Sequence, residues 1–399
     1  MGNVSITNNK KVFRVHLSQV SYVEFDSKPY KWWIDPVDFG KITLIVGRNA
    51  TGKSRLISVI SVVADLLCGR RSEVSFDGKF HLEFNDDGLS WVYDLEHDVD
   101  EVVVERLTHQ GKVMVNRGRG GFGRMEAFDS DENTYRNMKM KIERKKVAIA
   151  NKRDGAMYPY LEGINTWGES LRHFQFGTEM NAGRLAIAVK NVSLSIQLDE
   201  KTTDQFVPIL DLALKQHKEA FRDMVVADMK TVGYDISDVS IAHPPNVLIH
   251  GVLPGELVGA TVQEVGLNTV TNQLHMSTGM FRVFSLISQL NYYVLSGKSG
   301  CIIVDDIGDG LDFERTIALI SLVRKKADTS NVQLIMSTNN RFIMNHVPFE
   351  EWCVLHRTGG HVVVKNYANS KDQFDEFRMT GLSNFDLFSS DYLFNTTEE

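Results

Sequence analysis

The sequence has little of what disulfide-linked, metal-bound or membrane-spanning chains contain. Its 399 residues include only 3 cysteines, Cys68, Cys301 and Cys353, which lie far apart in apolar surroundings. Neither a disulfide framework nor a cysteine metal site fits that number and spacing, so we expect core thiols. The apolar runs stop short of the roughly 20 residues that a bilayer span needs, and residues 1–5 show no basic-then-apolar signal. We therefore expect a cytoplasmic protein without membrane contact.

An excess of positive charge is also missing. The chain has 44 Lys and Arg residues against 51 Asp and Glu residues, a formal net charge of −7. This balance argues against binding nucleic acid over the whole surface, although a local basic patch is compatible with it. With 43% hydrophobic residues the chain can bury a large core. Its length suggests two domains, or one domain with a large insertion.

The sequence does contain a G-x-x-x-x-G-K-S pattern, between an apolar stretch at 42–46 and an amphipathic stretch at 55–67. This strand–loop–helix setting is the one that a P-loop requires, and it argues against a chance match in a glycine turn. The glycines let successive N–H groups turn inward, and the helix dipole adds attraction for phosphate. We therefore predict a nucleoside triphosphate site formed by Gly47, Arg48, Asn49, Ala50, Thr51, Gly52, Lys53 and Ser54.

Two side chains of this loop have separate expected roles. Lys53 is expected to reach the β- and γ-phosphates as a point charge. The Ser54 hydroxyl is expected to complete the shell of a Mg²⁺ ion that also contacts those phosphates.

Residues 117–153 concentrate positive charge, with 11 Lys and Arg against 5 Asp and Glu. Such a segment can contact the phosphate backbone of a nucleic acid. The alternative is a mobile glycine loop followed by a solvated helix face, which is what a run of charges usually forms.

Three further segments are distinguished by their apolar residues. Residues 156–179 are rich in aromatics, and we expect helices that pack on a core rather than a base-stacking platform. Residues 201–231 have the apolar spacing of one long helix, which we expect to form an arm or lid. The aromatic C-terminal tail is expected to pack on the protein's own core, with docking of a partner as the alternative.

Polar clusters follow two apolar stretches in the second half of the chain. Asp305 and Asp306 follow residues 301–304, and Ser-Thr-Asn at 337–339 follows residues 332–336. Because ligands of open parallel sheets bind outside the carboxyl ends of strands, we expect both clusters to lie at the nucleotide. Upstream of them, Ser277 is expected to cap a helix.

As an ordered set, these motifs resemble those of the ABC-type ATPases of the SMC/Rad50/RecF branch, and more closely those of the compact AAA15-like (OLD-type) ATPases. The resemblance runs from the N-terminal lobe to about residue 365 and matches the middle insertion only loosely. The matching segments are 47–54 for Walker A, 277–279 for the signature, 302–306 for Walker B, 310–312 for the D-loop and 337–339 for the switch strand.

The resemblance implies roles for single residues. Asp305 would hold Mg²⁺ through water, and Asp306 would polarise the attacking water in the place where the family usually has Glu. Since Asp is one methylene shorter, slow hydrolysis is expected. Asn339 stands where many relatives have His, and its amide can bond the γ-phosphate but cannot titrate.

The resemblance also implies a homodimer. Ser277 and Gly279 would serve the ATP held by a second copy, so that two chains clamp two ATP molecules. Asp312 of the D-loop is also expected to bind nucleotide. An ordinary helix cap is the alternative role for Ser277.

In fold class the resemblance implies α/β, namely a P-loop ABC-type ATPase head with a mixed sheet and flanking helices, an N-terminal antiparallel β lobe and a helical insertion. The expected parts are an N-terminal ATPase lobe with a β meander, a basic loop with a helical insertion or arm, a C-terminal ATPase lobe and an aromatic tail, at residues 1–120, 121–260, 261–368 and 369–399.

The function implied by the resemblance is an ATPase whose ATP-driven pairing regulates a separate effector, such as a nuclease or toxin, in antiphage defence. One alternative is a RecF- or Rad50-like DNA-repair ATPase that binds DNA directly, and another is an ATP-gated scaffold with little turnover. A transporter ATPase is disfavoured because Ser54 and Ser277 lie too far apart along the chain.

Overall fold

The computed structural model describes residues 15–26, 28–74, 76–176, 185–188, 205–244 and 255–394. Within these ranges the strands form a 14-stranded mixed sheet and a smaller 4-stranded sheet, and helices flank the large sheet. The expected α/β class with a mixed sheet and flanking helices is therefore confirmed. The expected lack of a targeting signal falls on residues outside these ranges.

The N-terminal lobe begins with strands β1 (Val15–Glu24), β2 (Trp32–Asp38) and β3 (Ile42–Gly47), which lead to helix α1 (Lys53–Leu67). An antiparallel series follows, consisting of β4 (Gly78–Asp86), β5 (Leu89–His97), β6 (Val102–His109), β7 (Lys112–Gly118), β8 (Phe122–Asp129) and β9 (Thr134–Lys141). Alternating apolar and polar residues give most of these strands one buried face. The predicted antiparallel lobe is confirmed, and its residues before Val15 lie outside the described ranges.

The basic segment contains a β-hairpin, so the alternative of a glycine loop and a helix face is wrong for residues 122–141. β8 and β9 pair from Phe122 opposite Lys141 to Asp129 opposite Thr134. Gly123 lets β8 lie against β7, because a Cβ atom there would be 2.5 Å from the carbonyl oxygen of Asn116. The density of charge in the sequence concealed this strand pairing.

The middle of the chain forms α2 (Ala148–Asn151), α3 (Glu162–Ser170), β10 (Arg172–Gln175), β11 (Ala186–Ala188), α4 (Phe206–Thr231), β12 (Ile236–Ala242), β13 (Glu256–Glu264) and β14 (Thr271–Asn272). The aromatic residues described within 156–176 are at most 7% exposed, which confirms that they pack in the core. They are Tyr158, Tyr160, Trp167, Phe174 and Phe176. Phe174 nevertheless lies on a strand rather than on a helix.

The predicted long helix differs from the structure in two ways. Residues 201–204 lie outside the described ranges, and Lys218, at φ 47°, divides α4 into two helical segments. The helix is also not a free arm, because Phe206, Leu210 and Phe221 belong to the hydrophobic core. An apolar stripe of this width is stable only when it is packed against another element.

The C-terminal part forms α5 (Thr278–Leu295), β15 (Gly300–Asp305), α6 (Phe313–Asp328), β16 (Val332–Thr338), α7 (Arg341–His346), β17 (Trp352–Thr358), β18 (His361–Asn366), α8 (Tyr367–Met379) and α9 (Asn384–Ser389). Tail residues Phe374 and Phe377 are buried, and Phe385, Phe388, Tyr392 and Phe394 pack against the same core. The expected packing of the aromatic tail on the protein's own core is confirmed.

The strand order of the large sheet is β10-β15-β16-β3-β17-β18-β2-β1-β4-β5-β6-β7-β8-β9. The first five strands of this order run parallel. The three cysteines are buried and free, as expected. Among the described residues, no helix is long and apolar enough to cross a membrane.

Candidate functional site

The candidate site lies where three neighbouring parallel strands end. β16 pairs with β15 on one side and with β3 on the other. β3 leads into the P-loop, β15 ends at Asp305, and β16 is followed by Asn339. Parallel neighbours end at the same edge of a sheet, so the polar clusters predicted from sequence meet there, as expected.

The P-loop requires glycine at both of its ends. A Cβ atom on Gly47 would lie 2.5 Å from the Thr51 hydroxyl oxygen and 3.1 Å from the Leu355 carbonyl oxygen. Gly52 has φ 111°, in the left-handed region that glycine favours, and it immediately precedes α1. Ala50 also has a positive φ, of 64°, and carries some strain there. The loop therefore leads directly into the start of a helix, and backbone N–H groups at such a position can bind an anion.

Lys53 lies at the centre of this arrangement and is only 7% exposed. Its Nζ donates to the Gly47 carbonyl oxygen at 2.7 Å, to the Arg48 carbonyl oxygen at 3.3 Å and to Asn339 Oδ1 at 2.6 Å. Burial lowers the pKa of the Lys53 ammonium, and the charges of Asp306 and Asp305 oppose that shift. The Asn339 amide in turn donates to Asn49 Oδ1 at 2.8 Å. One hydrogen-bonded chain thus joins the P-loop to the end of β16.

The two carboxylates lie next to this chain. Asp306 has φ 54°, a left-handed conformation that turns the backbone sharply after β15. Burial and the neighbouring charge of Asp305 raise the pKa of the Asp306 carboxyl, while Lys53 opposes the shift. An acid whose pKa is raised in this way can act as a proton acceptor closer to neutral pH than an ordinary Asp.

The residues matched to the signature and D-loop form a second group. Ser277 caps α5 by accepting the Met280 N–H at 3.2 Å, so the predicted helix cap is confirmed. A Cβ atom on Gly279 would lie 3.0 Å from the Gly310 carbonyl oxygen, so α5 begins directly against the D-loop. Asp312 caps α6 and accepts the Arg315 N–H at 2.9 Å.

The two groups are separate within one chain. In the part of the chain that the structure describes, no hydrogen bond or ion pair joins Ser277, Gly279 or Asp312 to Lys53, the paired acids or Asn339. Gly310 and Leu311 of the D-loop nevertheless line a cleft together with Asp306 and Asn339.

Sequence reasoning missed two contacts at the site. Ser337 is fully buried, and its hydroxyl bonds the Asp305 carboxylate and the Asp306 N–H. The match of 337–339 to the switch strand did not specify these two contacts. Arg48 of the P-loop forms an ion pair with Asp391 of the C-terminal tail, at 2.5 Å between Nη2 and Oδ2. That second contact has no sequence signal, since 343 positions separate the partners.

The residues present fit a nucleotide with Mg²⁺. The P-loop supplies inward-facing backbone at a helix start and a lysine whose ammonium already binds oxygen atoms at 2.6–3.3 Å. Mg²⁺ in such sites is held by one or two carboxylates or hydroxyls together with substrate phosphates, and Asp305 and Ser54 are donors of that kind. Among the described residues, no group of three or more His, Cys, Asp or Glu side chains could hold a metal ion by itself.

Five of the 11 cations in the basic segment, residues 117–153, pair with acidic side chains. Arg117 is fully buried and paired with Glu105, and four other cations have acidic partners, namely Arg119, Arg136, Lys146 and Arg153. On the hairpin, Arg124 stands opposite Lys139, and Phe122, 60% exposed, stands opposite Lys141. These three hairpin cations have no acidic partner within the described ranges. Arg144, Lys145 and Lys152 form no ion pair within the described residues either, so nucleic-acid contact stays a prediction for the segment as a whole.

Comparisons with known proteins give only distant structural likenesses. No protein-family model matches the chain, and no curated protein matches it. Among solved structures, the chain is similar to an SMC head bound to the C-terminal winged-helix domain of ScpA, at 14% identity and a TM-score of 0.49, covering 88% of this chain and 97% of the other. It is also similar to the SMC head domain from Thermotoga maritima, at 11% identity, a TM-score of 0.45 and coverage of 88% and 98%.

A third similar structure is an Smc head domain with an extended coiled coil bound to the C-terminal domain of ScpA, derived from Pyrococcus furiosus. The identity is 12%, the TM-score is 0.46, and 91% of this chain and 100% of that chain are covered. With likenesses this distant, the case for the site rests on its own geometry.

Proposed function

We propose that the chain is an ABC-type ATPase that binds and hydrolyses ATP at the carboxyl ends of β3, β15 and β16. The observation that carries this proposal is the 2.6 Å contact between Lys53 Nζ and Asn339 Oδ1. It joins the P-loop to the strand that lies directly beside the paired acids. A glycine turn that matched the P-loop pattern by chance would not be expected to lie beside two carboxylates and an amide.

In the proposed reaction, Lys53 exchanges its carbonyl partners for β- and γ-phosphate oxygens. Asp306 accepts a proton from the attacking water, for which its raised pKa suits it. The Asn339 amide, adjacent to Lys53, bonds the γ-phosphate. Bound Mg²⁺ supplies positive charge that neutralises the phosphates, with Ser54 and Asp305 as its protein donors.

The proposed active unit is a homodimer in which Ser277, Gly279 and Asp312 serve the ATP of the second copy. Ser277 and Thr278 at the start of α5 are exposed. The N–H groups and dipole of a helix start suit a γ-phosphate that approaches from another chain. Among the described residues no hydrogen bond or ion pair joins this group to Lys53, which is compatible with a site shared between chains.

At a finer level, we propose that ATP-driven pairing controls a separate effector such as a nuclease or toxin in a cytoplasmic antiphage response. This part is supported only by the resemblance of the motif set to compact AAA15-like ATPases, and function does not follow from fold. The alternative of an ATP-gated scaffold differs in that the chain would hydrolyse ATP very slowly. The short Asp306 side chain supports this alternative.

The test mixes two inactive variants. Lys53→Ala removes the phosphate-binding charge, and Ser277→Arg fills the approach to the start of α5 while remaining at an exposed helix end. In a mixed dimer one site carries both defects and the other is intact on both sides.

The expected result is that the mixture hydrolyses ATP although neither variant does so alone. Unchanged ATP affinity of Lys53→Ala in calorimetry would show that the P-loop assignment is wrong. Normal hydrolysis by Ser277→Arg alone would show that Ser277 is only a helix cap.

Direct DNA binding is the second candidate function, and the end of the β8–β9 hairpin favours it. Arg124, Lys139 and Lys141 share one face with exposed Phe122, since directly opposite residues of an antiparallel pair point to the same side. Cations beside an exposed aromatic ring suit phosphate contacts combined with base stacking.

A further inference from the structure

Ser337 connects both acids of the site through one hydroxyl group. It is the penultimate residue of β16, and its side chain is fully buried. Its Oγ donates a hydrogen bond to Asp305 Oδ1 and accepts the Asp306 N–H at 2.9 Å. The Ser337 carbonyl oxygen also accepts the Ile307 N–H at 3.0 Å.

The two hydroxyl bonds fit together chemically. A serine hydroxyl has one proton and two lone pairs, so donation to the Asp305 carboxylate leaves a lone pair for the Asp306 N–H. The bond to Asp305 is charge-assisted and therefore stronger than one between neutral groups. It occupies one carboxylate oxygen and sets the direction of the other.

The backbone bonds matter because Asp306 is in the left-handed region, at φ 54°. Among residues other than glycine, Asp and Asn adopt this conformation most readily, and the surroundings must still hold it in place. Ser337 holds the turn at two successive N–H groups, those of Asp306 and Ile307. Loss of the hydroxyl would leave the Asp306 N–H without this partner.

We propose that Ser337 is a positioning residue of the ATPase site, which orients the Asp305 carboxylate toward Mg²⁺ and fixes the turn that presents Asp306. This inference rests on the proposed function. Partners that orient metal-binding carboxylates typically change metal affinity or activity by about 10- to 100-fold when they are removed. Ser337 should therefore act on the Mg²⁺ dependence of the site and leave the nucleotide contacts of the P-loop intact.

The test measures the affinity of a fluorescent ATP analogue for Ser337→Ala at increasing Mg²⁺ and in EDTA. In EDTA we expect the parent affinity within about twofold, because the P-loop is unchanged. The Mg²⁺ concentration that half-maximally tightens binding should rise about 10-fold, and the hydrolysis rate should fall by about 10- to 100-fold. A general loss of packing would weaken binding in EDTA as well.

Two comparisons make the test specific. Ser337→Thr and Ser337→Val have the same shape, and only Thr retains a hydroxyl, so Thr should keep the Mg²⁺ response that Val loses. This pair carries the test if the Ala variant does not fold. Thr43→Val is the matched control, because Thr43 is another buried hydroxyl of the same sheet and accepts the Gly40 N–H at 3.1 Å.

Equal Mg²⁺ responses of the Thr and Val variants would overturn the inference. Failure of the proposed function is distinguishable, since the parent protein would then show no ATP binding or no Mg²⁺ effect at all.

Discussion

Replacement of Asp306 separates the charge of this residue from its backbone conformation. Asp306 is half-buried at φ 54°, beside Asp305. Asn is among the few residues that adopt the left-handed region readily, so Asp306→Asn should keep the turn and remove only the charge. Asp306→Ala removes the charge as well but places an unsuitable residue in the turn. We expect the Ala variant to be less stable than the Asn variant by about 1–2 kcal/mol in denaturant unfolding.

The sign of the charge effect follows from the raised pKa of Asp306. The folded chain holds this proton more tightly than the unfolded chain, so stability decreases as pH rises from the ordinary value of 3.8 through the raised pKa. Above that window the penalty of a half-buried carboxylate beside Asp305 is complete. Asp306→Asn should therefore melt at a higher temperature than the parent at pH 7, and the difference should shrink toward pH 4.

The same variant tests the proposed chemistry. Loss of the proton acceptor should lower turnover by about 10²- to 10⁴-fold while ATP binding persists, and size-exclusion with ATP and Mg²⁺ should show a trapped dimer. Parent-rate hydrolysis by Asp306→Asn would refute the role of this residue as the base. A melting temperature at pH 7 below that of the parent would refute the reasoning about its buried charge.

Two further predictions concern the P-loop and the hairpin. Ala50→Gly should leave ATP affinity within about twofold of the parent, because glycine accepts the φ of 64°. Ala50→Val should weaken both ATP binding and stability, because a β-branched residue is strained at that φ. An equal effect of the two changes would contradict the strain at this position. The double change Lys139→Gln and Lys141→Gln should reduce the slope of log affinity for duplex DNA against log salt by about 2, at about 0.9 for each lost phosphate contact. Arg136→Gln is the control and should leave this slope unchanged, because the Arg136 cation is paired with Asp129 and Glu132. DNA affinity of the parent that does not vary with salt would exclude this surface.

The sequence predicted the site where local pattern and topology coincide. Lys53 and the paired acids follow buried apolar strands, and parallel strands bring their ends together whatever the rest of the chain does. The β8–β9 hairpin was not predicted because its charges hide the alternation, and α4 was not predicted to pack because helical spacing does not say what covers a helix. The Arg48–Asp391 ion pair depends on the fold of the tail, which no local pattern encodes.

The contacts of Lys53 define what a bound phosphate has to displace. In this structure its ammonium is bound by two P-loop carbonyl oxygens and Asn339 Oδ1, so phosphate must replace partners rather than join a free cation. The Asn339 amide also donates to Asn49 in the same loop, so a second hydrogen bond still joins the P-loop to the end of β16 when Lys53 turns to phosphate. Ser337 lies two residues before Asn339, at the penultimate position of β16, and bonds the Asp305 carboxylate and the Asp306 N–H. The P-loop and the acids are therefore contacted by different side chains at the end of β16, which is why loss of the Ser337 hydroxyl should leave the nucleotide contacts of the P-loop intact.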